Sequence, residues 1–152
     1  MRPKYARGYT FVELLLVLAA GAVIASVAVP QVQQSLSIYR LMSSASRLAS
    51  ELDYARTLAM SRNAVFQVAI NPTTRTFQIV DEADLDHPPR SAHRLEAGIQ
   101  FVNPPAQIRF FSRGHAQQGD VTLSDGWGSF ITIEVSPSGL VRLGNVESNE
   151  TY

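Results

Sequence analysis

The chain has 152 residues, 45% of them hydrophobic, and balances 13 basic against 13 acidic side chains. It has no cysteine, which excludes disulfides, thiolate metal sites and cysteine nucleophiles. Neutral charge with a single lysine, Lys4, is not the strongly basic balance of a typical nucleic-acid binder.

The first residues, Met1-Arg2-Pro3-Lys4-Tyr5-Ala6-Arg7, carry three cations and no anion. Gly8 closes this leader. From Tyr9 to Val29, 21 residues contain one formal charge, Glu13. A helix of about 20 apolar residues crosses a bilayer core of about 30 Å. The positive-inside rule predicts a cytoplasmic leader and a domain beyond the inner membrane. Removing the leader leaves ten basic against 13 acidic residues, a formal charge of −3. A secretory signal peptide would need a small-residue cleavage site, and Ala25-Ser26-Val27 and Ala28-Val29-Pro30 are loosely compatible. Its apolar region, however, is normally shorter than this one. A plain membrane anchor explains length and orientation but not Gly8 or Glu13. A carboxylate deep in lipid needs a partner, whereas one near the headgroups is solvated.

Pro30 predicts a kink or a loosened turn. Beyond it, Leu41, Ala45, Leu48, Leu52, Ala55 and Ala59 recur at spacings of four and three, an amphipathic stripe. Arg40, Ser43, Ser44, Arg47, Ser50, Glu51 and Asp53 fill the polar positions between. The pattern predicts one long helix from about Tyr9 to Arg62, about 80 Å at 1.5 Å per residue. Its first half would be membrane or filament core, and its second half would lie on a sheet. Ala19 to Ala28 is rich in small residues that permit close helix approach.

After Asn63 the period changes to that of strands. Val65 to Ile70 and Phe77 to Val80 flank a turn at Asn71-Pro72-Thr73-Thr74-Arg75. Residues 81 to 94 are polar and contain Pro88-Pro89, which predicts a long exposed loop. Further strands are expected at 99–102, 108–111, 121–123, 130–135 and 140–143, with Pro137-Ser138-Gly139 as the last turn. A helix followed by antiparallel strands predicts an α+β domain.

Little in the chain suggests chemistry. No serine lies in a GxSxG setting, and no glycine run resembles a phosphate loop. His87, His93 and His115 lack metal-site spacing and are read as surface residues. The acidic cluster of Asp81, Glu82, Asp84 and Asp86 could offer hard oxygen ligands in Asp84 and Asp86, but it lacks the spacing of a calcium loop and is read as solvated. Trp127 between two glycines is read as a core or edge aromatic near a turn. No enzyme activity, cofactor or metal is expected.

Gly8-Tyr9-Thr10-Phe11-Val12-Glu13, joined to an apolar run, resembles the processing site of type IV prepilins and type II secretion pseudopilins. The resemblance implies a leader of residues 1–8 and a transmembrane or filament-core helix of 9–29. It also implies a pilin-like domain of 30–152, periplasmic until the subunit joins a filament. Cleavage would fall between Gly8 and Tyr9, and Tyr9 would be N-methylated. Phenylalanine is usual at that first mature position, so Tyr9 is a departure that keeps an aromatic. Glu13 would be the fifth mature residue, paired with the free amine of Tyr9 on a neighbouring subunit. The implied partners are other pilin subunits, the prepilin peptidase and methyltransferase, and an inner-membrane assembly platform.

Residues 52–63, Ile108 to Gly114 and Ile131 to Leu143 are similar to minor pseudopilins of the GspH/FimT type. That implies a minor subunit, near the filament tip, supporting protein secretion, or alternatively pilus assembly or DNA uptake. In some relatives an arginine pair after the last hairpin's glycine is associated with DNA. Here Leu140 replaces the first, leaving Arg142, with Arg109 and Arg113 as further candidate contacts. A membrane-anchored periplasmic binding module is the rival reading from a different class.

Overall fold

The computed structural model describes residues 10–148, without the side chains of Val27 and Pro30. The leader, Gly8 and Tyr9 lie outside the described residues. One helix, α1, spans Phe11–Arg62. Its assignment continues through position 30, so Pro30 sits inside the helix rather than ending it. Residues up to Ser35 form one compact unit, and Leu36 to the C-terminus forms another. α1 stops at Asn63, whose φ of +49° is left-handed. The Ala64 N–H donates to the Ala59 carbonyl at 3.2 Å, the long bond of a Schellman cap.

Among the described residues, nine strands follow in the second unit. The first sheet contains β1 (Phe66–Asn71), β2 (Thr76–Asp81), β3 (His93–Arg94) and β5 (Gln107–Phe110). Its order is β3-β2-β1-β5. The second contains β4 (Gln100–Val102), β6 (Gly119–Ser124), β7 (Ser129–Val135), β8 (Val141–Leu143) and β9 (Glu147–Ser148). Here the order is β4-β6-β7-β8, with β9 also on β7. All pairings are antiparallel. The single run of strands expected from sequence is thus divided between two sheets, and β3 and β9 were not foreseen. Both are only two residues long, too short to show a period of two.

The core follows from the helical stripe. Leu41, Ala45, Leu48, Leu52, Ala55 and Ala59 are all fully buried. They share one cluster with Phe66, Phe77, Ile108, Phe110, Ile131 and Ile133 from both sheets. Strand alternation works as expected in β7, where Ile131 and Ile133 point inward while Glu134 is exposed.

Sequence periodicity misplaces two helical side chains and passes over a third. Ser44 and Glu51 are buried at 3% and 6% exposure, although they were read as polar spacers. Ser37 is buried as well. With Leu58 these residues recur every seventh position, a second line flanking the stripe. The three polar members each fasten a different loop, as described next.

Candidate functional site

In the first unit the helix start is capped. The Glu13 N–H donates to the Thr10 hydroxyl at 3.2 Å, and Leu14 N–H donates to the Thr10 carbonyl at 3.2 Å. Thr10-Phe11-Val12-Glu13 therefore has the residue pattern of a capping box. Glu13 lies in the first turn, where the helix dipole favours a negative charge. Its side chain is exposed. Every large apolar side chain described from Phe11 to Val32 is also exposed, between 49% and 74%. Burying one such side chain stabilises by about 1.5–3 kcal/mol, so a row of them left in water is strongly unfavourable. This stretch is long and apolar enough to cross a membrane.

The second unit holds a set of loop fastenings on the flank of α1. Ser37 donates to the buried carboxylate of Asp125 at 2.9 Å. The Ser44 hydroxyl accepts from the Glu96 N–H at 3.2 Å. Glu51 takes Arg90 at 2.6 Å and has His93 Nε2 at 3.2 Å. That His93 contact misses hydrogen-bond geometry, so it is electrostatic proximity rather than a bond. On the far side of the ring, Arg47 lies 3.0 Å from His93 Nδ1. A guanidinium only donates, so Nδ1 accepts and the proton sits on Nε2, towards Glu51. His93 also packs on Phe77, with ring centroids 5.8 Å apart. It is therefore a half-buried linker rather than a surface residue. His87 is exposed as expected and pairs with Asp84 at 3.0 Å. His115, also exposed, stacks on Phe111. Asp81 is occupied locally, accepting from the Ala83 N–H at 3.0 Å. Among the described residues no group of three or more such side chains is placed to hold a metal.

Two of the three candidate DNA-contacting arginines lie beside carboxylates. Arg109, on β5, is paired with Glu82, and its Nε is buried. Arg113 is exposed on the turn after β5. That turn touches the β7–β8 turn closely: a Cβ on Gly139 would meet the Gly114 carbonyl. The Gly114 carbonyl also accepts from Arg56 Nε on α1 at 3.1 Å. Arg142, on β8, stands opposite Glu134, which stands opposite Asp120. These three line an open groove of about 400 Å³ with Ser136, Ser138 and Leu140. Two carboxylates beside one guanidinium make this groove net negative, which repels phosphate.

Residues 44–139 match the family described as type II transport protein GspH. The chain belongs to the GspH family. The matched part runs from the buried flank of α1 to the glycine of the last hairpin. No curated protein matches the sequence. Among solved structures, the fold resembles the type IV minor pilin FimU of Pseudomonas aeruginosa PAO1. That pair has TM-score 0.57 and 18% identity, over 69% of this chain and 88% of FimU. It equally resembles the minor pseudopilin EpsH of the Vibrio cholerae type 2 secretion system. There the TM-score is 0.57 and identity 16%, over 68% of this chain and 95% of EpsH. A second EpsH structure gives TM-score 0.53 and 15% identity, over 73% of this chain and 97% of EpsH. As a GspH-family member with a pilin-like fold, the chain is a minor pseudopilin or minor pilin type of subunit. It is a structural subunit by family.

Proposed function

We propose that the chain is made as an inner-membrane precursor, cut between Gly8 and Tyr9, and methylated on Tyr9. It then joins a short secretion pseudopilus as a minor subunit near the tip. The observation that carries this reading is the exposed apolar stretch of α1, interrupted only by Glu13, on a GspH-family domain. Lipid covers that stretch first, with the domain on the periplasmic side, and neighbouring subunit helices cover it afterwards. Glu13 then pairs with the amine of Tyr9 on a neighbour, which neutralises both charges and sets helix register. The peptidase, the methyltransferase and the assembly platform are the partners this route requires. The family description, a type II transport protein, favours secretion over a retractile pilus.

Mass spectrometry of the mature N-terminus tests the reading. A methylated Tyr9 start is expected, whereas an intact leader or a cut near Ala28 would refute it. Glu13→Ala should leave membrane insertion intact and weaken incorporation into filaments. DNA binding receives no support from the arginines, because Arg109 is paired and Arg142 faces two carboxylates. A gel shift of the chain at low salt is expected to show no complex.

A further inference from the structure

The β6–β7 turn carries the chain's only tryptophan, Trp127, with 54% of its surface exposed. An exposed indole on a loose loop would mean little. This turn is not loose. One oxygen of Asp125 accepts from the Trp127 and Ser129 backbone N–H groups, both at 2.9 Å. The other accepts from Ser37 on α1 at 2.9 Å. Asp125 is only 3% exposed, and its own N–H donates to the Ser129 carbonyl at 3.0 Å. Gly128, at φ +88°, closes the turn in a conformation other residues resist. The exposed indole therefore stands on a turn whose backbone is already ordered, so burying it costs little further loop entropy.

We propose that Trp127 is a membrane-surface anchor, with its indole in the headgroup region of the bilayer while the subunit awaits assembly. This rests on the reading of the apolar stretch as membrane-embedded. The argument for lipid is one of reach and chemistry. Ser37 is eight residues beyond Val29, so it stays within about 28 Å of the end of the apolar stretch even if the chain is fully extended. An indole has an apolar body and one N–H donor, and both are satisfied together at a membrane–water interface. Tyr39, 71% exposed, and Arg40, also exposed, follow Ser37 closely. A phenol and a guanidinium are the other side chains that settle at this depth. The carboxylate on the turn does not oppose them, because Asp125 is buried and its oxygens are bonded. Glu147 on β9, opposite Phe130 on β7, is exposed and stays free to keep its charge in water.

Because Trp127 is alone, its fluorescence reports on this residue without labelling. The full chain would be reconstituted at low protein-to-lipid ratio in phosphatidylcholine–phosphatidylglycerol vesicles. Expected are a blue-shifted emission, weak quenching by acrylamide, and stronger quenching by lipids brominated near the headgroup than near the chain end. Ser37→Ala, which frees one side of the turn, should lessen the bromolipid quenching without changing insertion. Emission like that of a water-exposed indole, untouched by brominated lipid, would overturn the anchor. So would acrylamide protection that grows with protein-to-lipid ratio, since that signals contact with a second copy. Flotation and alkaline extraction separate the two levels. A chain that does not insert overturns the membrane reading and the anchor together, while one that inserts with an unprotected Trp127 overturns the anchor alone.

Discussion

The two halves of α1 are both helix, yet they solve different problems. Before Ser35 the apolar side chains point all round, and among the described residues none is buried by the chain itself. From Leu36 the apolar residues narrow to one stripe, and a polar line beside it reaches out to loops. A helix that is apolar all round needs a solvent other than water, or other helices. One with a stripe needs only a sheet. The comparison teaches that in the second half stability comes from packing inside the subunit. In the first half it must come from outside.

Substitutions can break this contrast, and the largest effect should come from the stripe. Leu52→Ala leaves a cavity in a fully buried position and should cost about 3 kcal/mol of domain stability. Leu16→Ala removes the same atoms from an exposed position and should leave domain unfolding unchanged. Denaturant titration of the detergent-solubilised chain compares the two, and equal losses would erase the distinction. Gly139→Ala should come next, at roughly 2 kcal/mol. It combines a φ of +78° with a Cβ aimed at the Gly114 carbonyl. A shift in melting temperature reads this directly.

Smaller effects sharpen the role of the polar flank. Glu51→Ala strips Arg90 and His93 of their carboxylate. Arg90 is 46% exposed, so water recovers part of the loss and about 1.5 kcal/mol is expected. Faster hydrogen exchange confined to residues 87–94 would show that the loop is what was fastened. Ser37→Ala, which removes one of three bonds to Asp125, should cost about 1 kcal/mol. Glu13→Ala should cost the domain nothing measurable, because Glu13 lies outside that unit.

Much of the fold was legible in the sequence because it depends on local periodicity. Arg62 is the last helical residue in both readings, and the turns at Asn71 to Arg75 and Pro137 to Gly139 separate strands as expected. The candidate processing and assembly residues stay an expectation: Glu13 is exposed in the first turn, and Gly8 and Tyr9 lie outside the described residues. What was missed depends on partners distant in the chain. Glu51 and His93 looked like surface residues because nothing nearby announces that 42 positions separate two halves of one polar cluster. The seven-residue recurrence of Ser37, Ser44 and Glu51 was a usable signal. It was hidden because a hydrophobic stripe is sought in apolar residues only.

The sequence by itself determined the long helix, its change from uniformly apolar to amphipathic, and the positions of most strands along the chain. These follow from side-chain patterns that repeat within a few residues. Only the tertiary structure decided that the strands form two sheets around one core, and that Arg109 and Arg142 face carboxylates. It also decided that a buried aspartate orders the turn that carries Trp127. Each of these is a pairing across many residues, made by packing and hydrogen bonds that no local pattern encodes.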